Sequence, residues 1–187
     1  MKDIKEAGLE KSIVQKVVNW KSPADGHSKL HTAASDGNNE EVRDLLSRGA
    51  KINARMNNGA TPLHCALSSD HNDTAVLLLS KGANVHLKDL NGNTPLHYAV
   101  TNNDKEIVKI LITHGANVNL KDMNRNTPLH YAVMNNDKEL VKVLIAHGAN
   151  INAKNMSGLT PLGIVTELPF LQNIEDIAGF LRKHGAK

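Results

Sequence analysis

Residues 94–121 read TPLHYAVTNNDKEIVKILITHGANVNLK, and residues 127–154 read TPLHYAVMNNDKELVKVLIAHGANINAK. The copies start 33 residues apart, and over the full period 89–121 and 122–154 agree at 25 of 33 positions. Self-similarity at a fixed period of about 20–50 residues signals a repeat architecture. Working outward, Thr61, Thr94, Thr127 and Thr160 keep the step, as do the Pro-Leu pairs that follow them. Gly49-Ala50, Gly82-Ala83, Gly115-Ala116 and Gly148-Ala149 give a second marker with the same 33-residue spacing. Leu30-His31 belongs to an earlier, degenerate copy in which Ser28-Lys29 replace Thr-Pro.

Each unit has a local physical reading. Thr94 suits an N-cap, and Pro95 suits the first helical position, where its missing N–H costs nothing. Leu96, Ala99 and Val100 form an apolar stripe on a short first helix. Asn102-Asn103 ends it, because Asn tolerates the left-handed conformation of a tight turn. The spacing predicts a second helix from about Asp104 to His114. Its apolar positions Ile107, Val108, Ile110, Leu111 and Ile112 exceed one stripe, so burial on several sides is expected. Gly115 is placed to end it in the left-handed conformation. The polar stretch that follows, with turn residues such as Asp89 and Gly92, predicts an extended hairpin-like loop.

The pattern resembles the ankyrin repeat. The matching motifs are TPLHCAL (61–67), TPLHYAV (94–100 and 127–133), GANVHLK (82–88), GANVNLK (115–121) and GANINAK (148–154). The resemblance implies an all-α, right-stacked solenoid forming one elongated domain, with helix-turn-helix plus hairpin-like loop in each 33-residue unit. The expected division is an N-terminal capping helix (1–22) and five repeats (23–55, 56–88, 89–121, 122–154, 155–187), the first and last atypical. The last copy carries Gly163 for the signature His. Its Gly185-Ala186 lies 37 residues after Gly148-Ala149, which places an insertion around Glu167–Gln172, with Pro169 breaking the first helix.

Composition agrees. Only five aromatics, Trp20, Tyr98, Tyr131, Phe170 and Phe180, occur in 187 residues, so Leu, Ile, Val and Ala must fill the core. A thin repeat layer filled by small aliphatics explains the shortage. The single cysteine, Cys65, excludes an intramolecular disulfide framework and a cysteine-based zinc site. No apolar run approaches the ~18–20 residues of a membrane span, and the N-terminus lacks the apolar core of a Sec signal. A formal charge of +3 is too weak to argue for nucleic acid. The expectations are a cytoplasmic monomer with neither nucleic-acid nor membrane partners.

Residues 1–22 do not repeat. Ile13, Val14, Val17 and Val18 recur at helical spacing, with Ile4, Leu9 and Trp20 nearby. The first reading is an amphipathic cap on the first repeat; the second is a helix for targeting or partner binding.

Ten histidines invite a metal reading, but His31, His64, His97 and His130 fall in one column, one per repeat. Neighbouring layers of helices lie ~8–10 Å apart, whereas zinc ligands sit ~2 Å from their ion. The column cannot converge on a metal, and the resemblance implies that this His hydrogen-bonds around the turn. No catalytic motif of the Walker A, HExxH, GxSxG or kinase type is present. Cys65 occupies the column of Tyr98 and Tyr131 and has no electropositive setting to activate it. Asp104, Glu106, Asp137 and Glu139 open second helices, where the dipole favours negative charge. No catalytic, cofactor or metal residues are assigned, and the protein is expected not to be an enzyme.

A binding function has more support. A repeat array offers an extended concave surface. The resemblance implies that contacts come from the loop tips and the exposed face of the first helix. There the tips carry Leu90, Met123 and Met156, and the helix face carries Tyr98, Thr101, Tyr131 and Met134. An apolar patch of this kind marks an interaction site; alternatively the side chains lie on neighbouring repeats and only pack. Arg55, Lys88, Lys121 and Lys154 place one cation per repeat before each tip. They read either as a basic ladder for an acidic partner or as a solvated edge offset by Asp89 and Asp122, which the neighbouring acids favour. The functional reading is a protein–protein interaction module. Its alternatives are a stoichiometric inhibitor or regulator of an enzyme or transcription factor, and a host-directed effector of an intracellular bacterium. The irregular differences between copies look natural rather than engineered.

Overall fold

The computed structural model describes residues 11–167 and 174–187. The expected insertion around Glu167–Gln172 with Pro169, and the apolar Ile4 and Leu9, lie at or beyond these limits. The chain divides into two compact units, Met1–Asn84 and Val85–Lys187. The first holds helix α1 (11–18), α2 (Lys29–Ser35), α3 (Asn39–Ser47), α4 (Pro62–Ser68) and α5 (Asn72–Ser80). The second holds α6 (Pro95–Thr101), α7 (Lys105–Thr113), α8 (Pro128–Met134), α9 (Lys138–Ala146), α10 (Pro161–Glu167) and α11 (Ile174–Lys183). Among the described residues there is no strand, only an isolated antiparallel bridge between Lys21 and Ser28. The loop between repeats, residues 114–127 for example, is closed at its tip by a hydrogen-bonded, hairpin-like turn without strand pairing.

The helix boundaries follow from the caps. Thr94 and Thr127 take extended backbone before α6 and α8, with Pro at the first turn and a reciprocal capping box closed by His97 and His130. Asp104 accepts from the backbone N–H groups of Glu106 and Ile107 and so starts α7. Asn103 and Asn136 are left-handed (φ 60° and 55°), as a turn between paired helices requires. Gly115 (φ 86°) ends α7 in a Schellman motif, its N–H donating to Ile112 and that of Ala116 to Leu111.

Within the first unit α2 packs on α3 and α4, α4 on α5, and α3 on α5. Within the second, α6, α8 and α10 form one row of first helices and α7, α9 and α11 a row of second helices, each first helix also packing on its own second helix. The core between the rows consists of Leu96, Val100, Ile107, Val108, Leu111, Leu129, Val133, Leu140 and Leu144 with the interleaved Ala99 and Ala132, all buried. Small aliphatics at fixed positions let the helices approach closely, which is the density a folded core needs.

Candidate functional site

The loop tips of the second unit are built identically. Backbone bonds from Asp89 to Asn93 (2.9 Å), Asp122 to Asn126 (3.0 Å) and Asn155 to Leu159 (3.0 Å) close each turn. The residue after each donor stands on the crest, where Leu90, Met123 and Met156 are 65%, 63% and 68% exposed. Successive tips are laced together: the Met123 N–H donates to Asn91 O and the Met156 N–H to Asn124 O, both at 2.8 Å. Three large apolar side chains therefore project in a row from a hydrogen-bonded edge. In the first unit Asn57 holds the crest position, and its N–H donates to Asp25 O at 2.8 Å.

The first-helix residues behave differently. Tyr98 and Tyr131 are half-buried, Thr101 is exposed and Met134 half-buried. The Tyr98 hydroxyl donates to Asp89 Oδ2 at 2.9 Å, and that of Tyr131 to Asp122 Oδ2 at 2.5 Å. The same carboxylates, themselves buried, accept from the N–H groups of Asn93 and Asn126 at 2.8 Å. Each tyrosine thus ties its helix to its own loop. Burial, then the hydrogen bond to Asp122 and its charge, pushes the Tyr131 hydroxyl up to about 12. The Tyr131 ring also meets the His97 ring edge-on, 6.0 Å between centroids.

The lysine column is tied down as well. Lys88 Nζ donates to the carbonyl of Lys121 at 2.7 Å, and Lys121 Nζ to that of Lys154 at 2.8 Å. Each ammonium reaches one repeat onward and fastens two loops. Neither the basic ladder nor the solvated edge anticipated this. Lys154 itself is exposed.

The histidine column is part of the frame. In His31, His97 and His130, Nδ1 accepts from the backbone N–H and hydroxyl of the capping Ser28, Thr94 and Thr127. Their Nε2 atoms lie 3.0, 3.4 and 3.2 Å from the carbonyls of Ala54, Asn126 and Leu159. The proton therefore belongs on Nε2, donating to the next loop. Burial holds all three below the usual histidine range, His31 at about 4.

A further column escaped the sequence reading. Asn119 donates to Gly148 O (2.9 Å) and accepts from the Asn150 N–H (2.7 Å). Asn152 repeats the clamp on Gly185 O (3.1 Å) and the Lys187 N–H (2.9 Å). The signal was present, since Asn53, Asn119 and Asn152 keep the repeat register. Asn19 makes the same pair of bonds to Gly49 O (3.0 Å) and the Lys51 N–H (2.7 Å), which anchors the end of α1 in the first unit.

The chemistry of the remaining groups is quiet. The Cys65 thiol points to Met56 Sδ at 3.8 Å, and burial pushes it up to about 11. A thiol so protonated at neutral pH is a poor nucleophile. Among the described residues no cluster of three or more His, Cys, Asp or Glu side chains is arranged to hold a metal, and no helix is long and apolar enough to cross a membrane.

No curated protein matches the chain by sequence. The family model described as ankyrin repeats (3 copies) matches residues 4–89 and 75–155. That match spans most of the chain and starts inside the segment read as an N-terminal cap. With the capped helix pairs and 33-residue register above, it places this chain in the ankyrin-repeat family, whose all-α solenoids are generic protein–protein interaction modules.

Proposed function

We propose that the protein is a non-enzymatic interaction module that binds a protein partner through the loop tips of its second unit. The observation that carries this is the exposed row of Leu90, Met123 and Met156 on a backbone-laced edge. A fold gains nothing from leaving three large apolar side chains in water at matched positions, and contiguous patches of this kind mark binding sites. The edge is held by its own hydrogen bonds, so binding orders little chain and loses little entropy. Methionine adapts to an irregular partner surface.

Thr101 and Met134, the last residues of α6 and α8, would extend the contact along the first helices. Tyr98 and Tyr131 present half-covered rings whose hydroxyls are already occupied, so they offer ring faces rather than new hydrogen bonds. Lys88 and Lys121 position the loops and contribute charge at the margin, with Lys154 the most open of the three.

The test compares capture by the wild-type protein and by Leu90→Asp/Met123→Asp. Both positions are exposed, so the variant should keep its thermal midpoint. A direct partner should bind it at least ~30-fold more weakly, the scale of a hot-spot loss. Equal affinity for both proteins would sink the proposal.

A further inference from the structure

The described part of α1 is mounted with its apolar face outward. Val18 is buried at 2% exposure, and Asn19 clamps the Gly49–Lys51 turn. Ile13, Val17 and Trp20 are more than half exposed, and Val14 is 39% exposed. An amphipathic cap is expected to do the reverse. Val17 and Trp20 line a shallow hollow of about 410 Å³ in the first unit, and its remaining described lining is Lys16 and Lys29.

Those two lysines decide what fits. A second copy docking by the same face would bring like charges together. The described lining of this hollow is an apolar floor flanked by two flexible ammonium groups, with no acid among them. A lipid surface needs no more than that. It supplies acyl chains for Ile13, Val17 and Trp20 and phosphates for lysines that keep their charge in the headgroup layer. Tryptophan beside lysine is the composition favoured at a membrane interface.

We propose that this face seats the protein peripherally on an anionic lipid surface. The site is distinct from the loop tips and does not depend on the function proposed for them. It departs from the expectation of no membrane partner, which rested on the absence of a spanning run; adsorption needs no spanning run.

Trp20 is the sole tryptophan in the chain, so its fluorescence reports this face alone. The full-length protein is mixed with vesicles of phosphatidylcholine, with or without phosphatidylserine. The expected result is a blue shift and co-sedimentation on the serine-lipid vesicles only, weakened by added salt. Lys16→Glu/Lys29→Glu should reduce that binding at least tenfold, since each lysine near such a surface contributes about one factor of five. Val17→Asp should remove the blue shift while leaving the circular dichroism spectrum unchanged. Four results overturn the proposal: unchanged emission on anionic vesicles, an equal response on neutral ones, a Trp20 ring already shielded in the free protein by the chain's own first residues, and its burial in a dimer seen by sedimentation.

Discussion

The Tyr98 hydroxyl donates to Asp89 Oδ2, 2.9 Å away and nine residues earlier, joining the first helix of a repeat to the loop that precedes it. Tyr131 and Asp122 repeat the pair. One repeat earlier the same two positions are held by Cys65 and Met56, in sulfur contact at 3.8 Å. The tyrosines therefore serve the fold as well as any surface. Tyr98→Phe should cost about 1 kcal/mol, the scale of one hydrogen bond to a partly covered charged acceptor. Urea unfolding checks it. Partner affinity should survive Tyr98→Phe/Tyr131→Phe, because the rings remain; undiminished stability would show that the pair is incidental.

Acid should weaken the protein through its histidines. His31, His97 and His130 are held neutral by burial, with folded values below the unfolded 6.5. A depressed histidine binds fewer protons folded than unfolded, so its contribution is fully present above pH 6.5 and fades as pH falls toward the folded value, about 4 for His31. Urea midpoints should decline steadily across that window. His130→Asn, although less stable at pH 7.5, should show a shallower decline; parallel curves would refute the assignment.

Arg125 stands where four other copies place glycine. Its φ is 60°, against 72–81° for Gly26, Gly59, Gly92 and Gly158. A left-handed residue with a side chain is strained by roughly 1 kcal/mol, so Arg125→Gly should raise stability by up to that amount. Gly92→Ala should do the opposite and more strongly, since a Cβ there would sit 2.9 Å from the Met123 backbone nitrogen. Differential scanning calorimetry distinguishes the two; a stabilised Gly92→Ala would contradict the packing described for the tips.

Lys121→Met keeps the aliphatic stem and removes the ammonium that holds the Lys154 carbonyl. The bond is exposed, so the expected loss is small, about 0.5–1 kcal/mol. Loosening should concentrate at the next tip, read as faster amide exchange at Met156. Unchanged exchange there would show that the lysine is only a surface charge.

The frame was legible because its signals are local. Thr, Pro and His within four residues determine a helix start, and Asn103 and Gly115 mark two turns by backbone preference alone. The caps needed no tertiary knowledge. The lysine column was harder, because a sequence shows a charge but not the carbonyl, 33 residues onward, that receives it. The Asn119 clamp was hidden by a similar separation of 29 and 31 residues. The apolar crest at Leu90, Met123 and Met156 could be read, since turn position implies exposure. The tyrosine hydroxyls could not, because Asp89 looked like an offset for Lys88 rather than an acceptor for Tyr98. The outward face of α1 was the largest surprise: helical spacing identifies an apolar stripe but not which way it turns.

Several of the described bonds between repeats share a direction. His97 donates to a carbonyl 29 residues downstream, Lys88 to one 33 residues downstream and Asn119 to one 29 residues downstream. During synthesis such an acceptor is made after its donor, by roughly 1.5–7 s at about 5–20 residues per second. Each emerging repeat therefore leaves the ribosome with donors still bonded to water, and these are satisfied only when the next loop arrives. The order in which the chain is made is also the order in which its layers can lock.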